Sequence, residues 1–325
     1  MNDETAKPGN AEEQVAAANW ERIRSLHLHD MTVEEAVHAG SRVESRFHYS
    51  RGVWWEEVKP FFYTPAAPGL AFERGSSAPN PLLALGGYRH LLPSERGANG
   101  LLTANEIPDL RAYRLENLRT MVRHNIRRGL RRLRIARVTE LRDLLGDGYE
   151  IYRGWAERHT GVRTRRSSPE VFARWITRVH AHPHQLILGA YDGERLVSFI
   201  IGESIQGTAN IAMCFTHSDY YRLTPNTPLV FAFITICQQN PAIQKSRHGL
   251  RISDELAQFK ENLGYRQITY PAYISIPAAV RPLARWFFPA QYRRLMGQSE
   301  NEAGATNGST NIESSNLPGR ILRAH

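Results

Sequence analysis

The sequence has few cysteines, few lysines and no long apolar run. Its two cysteines, Cys214 and Cys237, lie within apolar stretches and are typical of small buried hydrophobic residues, so we predict a cytoplasmic protein of a reducing compartment. No apolar run approaches the ~20 residues of a membrane-spanning helix, so no transmembrane segment is predicted. The chain has 325 residues with 42% apolar content, enough for a sizeable core and for two lobes.

The scarcity of lysine makes the positive charge almost wholly arginine. The chain has 41 basic and 32 acidic residues, a net charge of +9, and only four of the basic residues are lysines. This balance favours an anionic partner. A genome rich in G and C would produce the same excess of arginine without any binding role, so charge alone assigns no function.

Composition divides the chain into five segments. Residues 1–12 and 298–325 are poor in large apolar groups, which predicts two disordered tails. Residues 13–107 contain clustered aromatics and prolines and are predicted to form a β- and loop-rich N-terminal lobe. An arginine-rich helix over residues 108–132 is predicted to connect this lobe to a second domain over residues 133–297.

The connecting helix is predicted from one apolar stripe. From about Asp109 to Arg132, leucine, valine and isoleucine recur at spacings of three and four, the period of one helix face. Arginines fill the positions between them, including Arg127 and Arg128. The charged face has three interpretations: contact with a nucleic acid backbone, contact with the phosphates of a nucleotide- or lipid-linked substrate, or simple exposure to solvent.

The stretch from Gln185 to Arg222 predicts a three-stranded meander that leads into a helix. Apolar runs of strand length are separated by Asp192-Gly193, a strong hairpin signal, and by Gly207. A polar-aromatic segment then precedes Leu229–Cys237, an apolar run long enough for a buried helix. A short loop between strand and helix directs the first N–H groups of the helix at the edge of the sheet, where an anion can bind.

From Leu133 onward the predicted elements follow the order β-α-α-β-β-β-α-β-α-β, which resembles the GNAT acyltransferase superfamily. The resemblance covers roughly half of the chain and implies an α/β (α+β) fold, in which helices flank a mixed, mostly antiparallel central sheet. The N-terminal lobe is then either a degenerate second GNAT half or an unrelated addition. The resemblance also implies that the sheet splays apart beside the buried helix and leaves a wedge for an activated carbonyl group.

The GNAT phosphate loop is altered in this sequence. GNAT enzymes bind the pyrophosphate of acyl-CoA at an Arg/Gln-x-x-Gly-x-Gly/Ala loop, and the matching segment here is Arg222–Leu229. Arg222 fits that pattern, whereas the glycines are absent and Pro225 and Pro228 remove two N–H donors. Simple helix capping is the alternative role for at least one of the candidate residues. The resemblance assigns cofactor binding to Arg222, Thr224, Asn226 and Thr227.

A second segment, Phe259-Lys-Glu-Asn-Leu-Gly-Tyr265, resembles the GNAT segment Phe-Tyr-x-x-x-Gly-Phe, in which the tyrosine protonates the departing thiolate. Lys260 takes the place of that tyrosine. Together with the Arg-x-x-Ile-Arg-Arg run that ends at Arg128, it resembles the Fem-type branch, whose members pair two GNAT-like lobes and in several cases use aminoacyl-tRNA. Lys260 is therefore predicted to stabilise an oxyanion or to supply a proton. The alternative is an exposed lysine on a short helix.

Two further residues are candidates for proton transfer near the wedge. His217 ends the third strand of the meander, where a histidine can deprotonate an attacking amine, or it is simply a strand-end residue. Glu203, on the preceding strand, is a competing base. Packing is the alternative for Tyr273, which follows Lys260 on the next strand. The candidate substrate contacts are Glu203, Tyr273, Arg127 and Arg128.

These features predict an N-acyltransferase that moves an acyl or aminoacyl group to an amine. Acyl-CoA or aminoacyl-tRNA is the expected co-substrate, with no tightly bound cofactor, and the acceptor is a small molecule or a nucleotide- or lipid-linked amine. The histidines His180, His182 and His184 lack a Cys or carboxylate at ligand spacing, so no metal is predicted. The altered phosphate loop supports an alternative: a GNAT-shaped binding or regulatory protein that has lost catalysis and recognises an anionic ligand.

Overall fold

The protein contains one twelve-stranded mixed sheet. The structure is a computed structural model, which describes residues 8–42, 45–67, 69–158, 168–250, 254–287 and 292. The strands are β1 Asp30–Met31, β2 Phe47–Ser50, β3 Val53–Lys59, β4 Phe62–Pro65, β5 Gly87–Leu91, β6 Gly100–Ile107, β7 Arg134–Arg137, β8 Leu186–Asp192, β9 Arg195–Ile205, β10 Thr208–Thr216, β11 Lys245–Leu250 and β12 Arg266–Ser275. Their spatial order is β2-β3-β4-β5-β12-β6-β11-β10-β9-β8-β7, and β1 pairs with β9. Most neighbours are antiparallel, which confirms the predicted fold class; the parallel pairs are β1–β9, β4–β5 and β10–β11.

Helices cover both faces of the sheet. They are α1 Pro8–Ser25, α2 Val33–Arg42, α3 Thr120–Arg132, α4 Leu141–Asp143, α5 Tyr149–Arg158, α6 Pro169–His180, α7 Asn226–Gln238, α8 Asp254–Asn262 and α9 Val280–Phe287. Helix α1 begins at Pro8, so residues 8–12, which we assigned to a tail, are helical. The remainder of the predicted tails, residues 1–7 and 298–325, lies outside the described residues. None of the helices in the described part of the chain is both long enough and apolar enough to cross a membrane.

Two apolar layers separate these helices from the sheet. Helices α1, α3 and α7 pack together on one face, and their core includes Ile126, Phe233 and Ile200. Helices α5 and α6 pack on the other face against Phe199 and Phe215. Helix α7 is apolar on nearly every side, which is typical of a helix enclosed by protein. The apolar run at residues 229–237 is therefore a buried helix, as predicted.

Strand β6 joins the two ends of the chain in one sheet. It pairs with β11 through Ile107 and Ser246, and with β12 through Ala104 and Ile268. A strand that we assigned to the N-terminal lobe is thus inserted between two strands of the predicted C-terminal domain. The division into a lobe over residues 13–107 and a domain over 133–297 stays a prediction.

The arginine-rich helix begins later than predicted. Helix α3 starts at Thr120, and the residues before it form two short 3-10 turns, Leu110–Ala112 and Leu115–Asn117. The amide of Gln238 donates hydrogen bonds to the carbonyl oxygens of Leu110 and Tyr113, at 2.7 and 2.9 Å. These hydrogen bonds hold the loop before α3 against α7. The apolar spacing was real, but part of it belongs to a loop that packs on α7.

Candidate functional site

The sheet opens between β10 and β11. The two strands pair in parallel only as far as Asn210 and Arg247, although β10 continues to Thr216. A β-bulge between Ile211 and Met213 increases the bend of β10 at this point. The two strands therefore leave a wedge between their ends, as the resemblance implied.

Lys260 lies in this wedge. The residue belongs to α8 and is only 2% exposed. Its ammonium group interacts electrostatically with Cys214 on β10 and with His248 on β11. A Cβ atom built on Gly249 would lie 3.9 Å from Nζ of Lys260. The alternative of an exposed lysine on a short helix is therefore wrong.

Burial controls protonation in the wedge. Loss of hydration lowers the pKa of Lys260 to about 8, and the neighbouring Cys214 offsets part of this shift. Burial, together with the charge of Lys260, lowers the pKa of His248 to about 3. Burial also raises the pKa of the Cys214 thiol to about 12. Near neutral pH the wedge thus holds an ammonium group beside a neutral imidazole and a neutral thiol.

Buried polar atoms in and beside the wedge have no hydrogen-bond partner among the described residues. They include Nδ1 of His248 and both polar side-chain atoms of Asn105, a residue with no exposed surface. Asn105 lies on β6 opposite the irregular part of the β11 pairing, next to His248. An unsatisfied buried polar atom costs about 1–3 kcal/mol. The wedge therefore suits a bound group with hydrogen-bonding atoms better than a purely apolar one.

A first cavity, of about 250 Å³, opens at the beginning of α7. It is enclosed by α3, α7, α8 and the end of β10. Its lining residues are Val122, Asn125, Thr216, Tyr221, Thr224, Pro225, Asn226, Thr227, Phe259, Asn262 and Leu263. The cavity thus brings together three of the four predicted cofactor-binding residues, and Phe259 and Leu263 connect it to the helix that carries Lys260.

Thr224 holds a strained position at the mouth of the first cavity. Its backbone has φ 47° and ψ 50°, a left-handed conformation that is uncommon for a β-branched residue. Its hydroxyl oxygen is buried without a hydrogen-bond partner among the described residues. Strain and an unsatisfied polar atom at one residue are typical of a ligand site.

The start of α7 offers few N–H donors to an anion. Pro225 and Pro228 have no N–H group, and the N–H of Thr227 donates to the carbonyl oxygen of Thr224 at 2.9 Å. Among residues 225–228 at the start of α7, the N–H of Asn226 is therefore at most the one backbone donor left for an anion. A pyrophosphate cradle of the usual GNAT kind, which depends on several backbone donors, is not formed.

Asn226 connects α7 to the sheet. Its side-chain oxygen accepts hydrogen bonds from the hydroxyl groups of Ser198 on β9, at 2.7 Å, and Thr216 on β10, at 2.6 Å. This oxygen is therefore used internally, although the residue also lines the first cavity. The contact fixes the beginning of α7 over the wedge.

The arginine-rich helix α3 contacts the turn before α7 through Arg128. Its Nη2 atom donates to the carbonyl oxygen of Arg222 at 3.0 Å, so two predicted site residues are in contact. Nε of Arg128 is buried and has no hydrogen-bond partner in the described part of the chain. Arg127 is exposed on the outer side of α3. Arg222 itself is exposed beside the cavity and does not line it.

Helices α3 and α7 touch where a glycine faces a proline. A Cβ atom on Gly129 would lie 2.6 Å from Cγ of Pro228, closer than real atoms approach. The absence of a side chain at Gly129 therefore permits the close contact between α3 and α7.

We expect Gly129→Ala to destabilise the protein by about 1–3 kcal/mol, because α3 must shift away from α7 to accommodate the added methyl group. Gly146→Ala is the matched control, since a Cβ atom there meets nothing within 4 Å. Chemical denaturation of both variants and the parent protein measures the difference. Equal loss of stability in the two variants would contradict the close helix contact.

His217 does not line the first cavity, and its hydrogen-bond partners are Asp219 and Arg195 rather than Lys260. Its Nδ1 atom accepts a hydrogen bond from the N–H of Asp219 at 3.3 Å, and its Nε2 atom is 3.3 Å from Nη2 of Arg195. The imidazole ring therefore caps the 3-10 turn that follows β10. The structure thus does not bring His217 together with Lys260, and its catalytic role stays a prediction.

A second cavity, of about 220 Å³, lies on the opposite face of the sheet. Ser246 faces Tyr265 in the α7 layer, so the next residue, Arg247, points the other way and lines the second cavity. Its polar lining comes from Glu56, Thr64, Arg89, His90, Asn210, Arg247 and Tyr270. Gly249 also lines it, and through that glycine the second cavity approaches Lys260.

The two remaining predicted residues lie near the second cavity without lining it. Glu203 accepts a hydrogen bond from the amide of Gln185 at 3.2 Å and interacts with the charge of Glu56. Tyr273 packs under the guanidinium of Arg74, 4.7 Å from its ring centre, and beside His90. The position of Tyr273 favours the packing alternative.

No sequence pattern predicted the polar residues of the second cavity. Glu56 and Arg89 come from strands β3 and β5, whereas Arg247 comes from β11, so no local spacing links them. The sequence offered one signal, which was the presence of charged residues in segments that otherwise resemble β-strands. That signal did not specify which charged residues would meet.

Solved structures share this architecture over most of the chain. The C-terminal domain of a protein assigned as a lysylphosphatidylglycerol synthetase from Agrobacterium fabrum has a TM-score of 0.51 and 14% identity, covering 86% of this chain and 97% of that one. FemX has a TM-score of 0.51 and 10% identity, covering 88% and 99%. The fold is GNAT-like and of the Fem type. Neither a protein-family model nor a curated protein sequence matches the chain.

The GNAT-like element order starts at β7 and ends at β12, as predicted. The order β7, α5, α6, β8, β9, β10, α7, β11, α8, β12 reproduces the predicted series, with α4 and a π-turn at Leu144–Gly148 leading into α5. At these levels of identity the likeness establishes the fold alone.

His184, in the histidine loop for which no metal was predicted, lies close to two residues from another part of the chain. Ligand atoms of His29, Glu35 and His184 lie within 4.8 Å of one another. The carboxylate of Glu35 already accepts a hydrogen bond from the N–H of Thr32 at 2.8 Å, in the cap of α2. These groups therefore have a structural explanation at the start of α2.

Proposed function

We propose that the protein is an acyltransferase that moves an aminoacyl group from aminoacyl-tRNA to an amine. The observation that carries the proposal is the position of Lys260, buried in a splayed sheet between two cavities on opposite faces. In this proposal a donor in the first cavity and an acceptor in the second react at the wedge, because Phe259 and Leu263 of the Lys260 helix line the first cavity and Gly249, near Lys260, lines the second. A cation at that point is suited to the negative charge that develops on a carbonyl oxygen during acyl transfer.

Two features of the first cavity favour aminoacyl-tRNA over acyl-CoA as the donor. The start of α7 offers at most one backbone N–H, which is a poor match for a pyrophosphate. The arginines of α3, with Arg127 exposed and Arg128 hydrogen-bonded to the carbonyl oxygen of Arg222, suit a nucleic acid backbone. The unsatisfied atoms of Asn105 and His248 also suit the α-amino group of an aminoacyl donor better than an acetyl group.

The proposed reaction forms an amide and releases a ribose hydroxyl. The lone pair of the acceptor amine attacks the ester carbonyl, and the carbon–nitrogen bond forms as negative charge moves to the carbonyl oxygen. The Lys260 ammonium stabilises this oxyanion. When the oxyanion collapses, the ester carbon–oxygen bond breaks. The proton lost by the amine ends on the released ribose oxygen, so atoms and charge balance.

The donor is tested by binding and by transfer. We expect charged tRNA to raise the melting temperature and to support transfer of a labelled amino acid to soluble amines, whereas acetyl-CoA does neither. Uncharged tRNA controls for binding by charge alone. Transfer from acetyl-CoA without transfer from charged tRNA would refute the proposed donor. No stabilisation and no transfer with either would favour a binding protein without catalysis.

A further inference from the structure

The second cavity contains charged groups of both signs that do not neutralise one another. The charge of Arg247 is balanced, because its Nε donates to Glu106 at 2.7 Å and Glu106 also accepts from the hydroxyl of Tyr270 at 2.7 Å. Arg89 and Glu56 line the same cavity, and no ion pair joins them. These two are therefore the charges that a ligand would meet.

Arg89 is a cation with no partner in the part of the chain that the structure describes. It is partly buried on β5, and no described residue forms a hydrogen bond or ion pair with its guanidinium. Removing a guanidinium from water without a compensating anion is unfavourable, so buried charges are normally paired. Its five N–H donors form a planar fork that matches a carboxylate or a phosphate.

Glu56 lines the same cavity, and a second carboxyl group, that of Glu203, interacts with Glu56 without lining the cavity. Burial raises the pKa of Glu56, and the neighbouring charge of Glu203 raises it further, while a hydrogen bond from Ser45 lowers it. Burial likewise raises the pKa of Glu203. The repulsion between these two groups is relieved by a cation placed between them, such as an ammonium group.

We propose that the second cavity binds an acceptor in which an amino group and an anionic group are separated by a short chain, with Arg89 on the anion and Glu56 on the ammonium. The proposal rests on the acyl transfer proposed above and names the chemical class of its acceptor. Gly249 connects this cavity to the wedge, since it lines the cavity and a Cβ atom built on it would lie 3.9 Å from Nζ of Lys260. Once it loses its proton to Glu56, the amine is the nucleophile that enters the wedge.

The test compares four small ligands that carry one charge or both. Calorimetric titration of the full chain uses β-alanine, with amine and carboxylate, and O-phosphoethanolamine, with amine and phosphate. Ethanolamine supplies the amine alone and propionate the carboxylate alone. We expect at least one ligand with both charges to bind about 10- to 100-fold more tightly than either single-charge ligand. The stronger of the first two ligands identifies the anion as carboxylate or phosphate.

Variants connect this preference to the named residues. Arg89→Gln should remove the tighter binding of the doubly charged ligands relative to ethanolamine, and it should leave the affinity for ethanolamine unchanged. Glu56→Gln should remove the tighter binding of the doubly charged ligands relative to propionate. Arg74→Gln, at an exposed arginine outside the cavity, is the matched control and should behave like the parent protein. Equal binding of ethanolamine and the doubly charged ligands, or an undiminished preference in Arg89→Gln, would overturn the proposal.

The outcome is separable from that of the proposed function. The titrations report binding in the second cavity without any donor, so they do not require transfer. If donor-dependent transfer occurs but the ligand preference is absent, the acceptor class is wrong and the acyltransferase proposal stands. If the preference is present and transfer fails with every donor, the cavity assignment stands and the proposed reaction is wrong.

Discussion

Lys260→Met is expected to lower the rate of acyl transfer by about 100- to 1,000-fold, the loss typical of removing one group that stabilises an oxyanion. Methionine retains most of the length and apolar volume of lysine and lacks the charge, so packing in the wedge should persist. The rate of the parent protein should also fall as the pH rises through about 8, because the ammonium form of Lys260 is lost there. Transfer rates measured between pH 6 and pH 10 test both expectations.

The same substitution should make the protein more stable at neutral pH. The pKa of Lys260 is lowered from 10.5 in an exposed lysine to about 8 in the folded state, which corresponds to an unfavourable contribution of about 3 kcal/mol. This penalty is fully present below pH 8 and vanishes as the pH rises towards 10.5, because the unfolded chain binds the extra proton in that window. Lys260→Met removes the penalty, so we expect it to gain up to about 3 kcal/mol at pH 7.

Denaturation at pH 7 and at pH 10, with Lys59→Met as the control at an exposed lysine, measures the stability effect. The parent protein should become more stable relative to Lys260→Met as the pH rises. A variant with undiminished transfer would remove Lys260 from the mechanism. A variant that is inactive and also less stable at pH 7 would indicate a structural role instead.

Asn19→Leu is expected to destabilise the fold by about 3–5 kcal/mol, because three buried backbone groups lose their partner at once. The side-chain amide of Asn19 donates to the carbonyl oxygens of Leu130 and Leu133, at 2.7 and 2.8 Å, and its oxygen accepts from the N–H of Ile135 at 2.8 Å. Asn19 has no exposed surface, so water cannot replace these bonds. The single side chain thus connects α1 to the turn between α3 and β7.

Glu21→Leu provides the control for Asn19→Leu, since it introduces the same side chain at an exposed position of the same helix. We expect its stability to remain within about 0.5 kcal/mol of the parent protein. Urea denaturation of the two variants gives the comparison. Similar midpoints for Asn19→Leu and the parent protein would show that α1 is not fixed by this contact.

Local signals in the sequence predicted the elements that depend on neighbouring residues. The Asp192-Gly193 pair predicted a hairpin, and β8 ends at Asp192 with Gly193 at a φ of +59°. The glycine that ends α8, Gly264, has a φ of +89°, the conformation that glycine adopts most readily. Such turns require backbone angles that few other residues tolerate, so residue identity is sufficient to place them.

Long-range contacts decided what local patterns did not. The apolar spacing before Thr120 predicted a helix, but this segment forms a loop whose carbonyl groups at Leu110 and Tyr113 accept hydrogen bonds from the side chain of Gln238. The sequence motif selected Lys260, yet its burial follows from the divergence of β10 and β11. Hydrogen bonds and burial across large sequence separations carry no signature at any one position.

The order and type of the elements from β7 to β12 followed from the amino-acid sequence alone, because periodicity and turn chemistry act over a few residues, and the resemblance of one segment to a GNAT motif selected Lys260 among them. Only the tertiary structure brought Glu56 and Arg89 into one cavity, lowered the pKa of Lys260 and placed His217 beside Arg195. Charge, hydration and distance are properties of the folded surroundings. A residue acquires them only when strands distant in the chain become neighbours in the sheet.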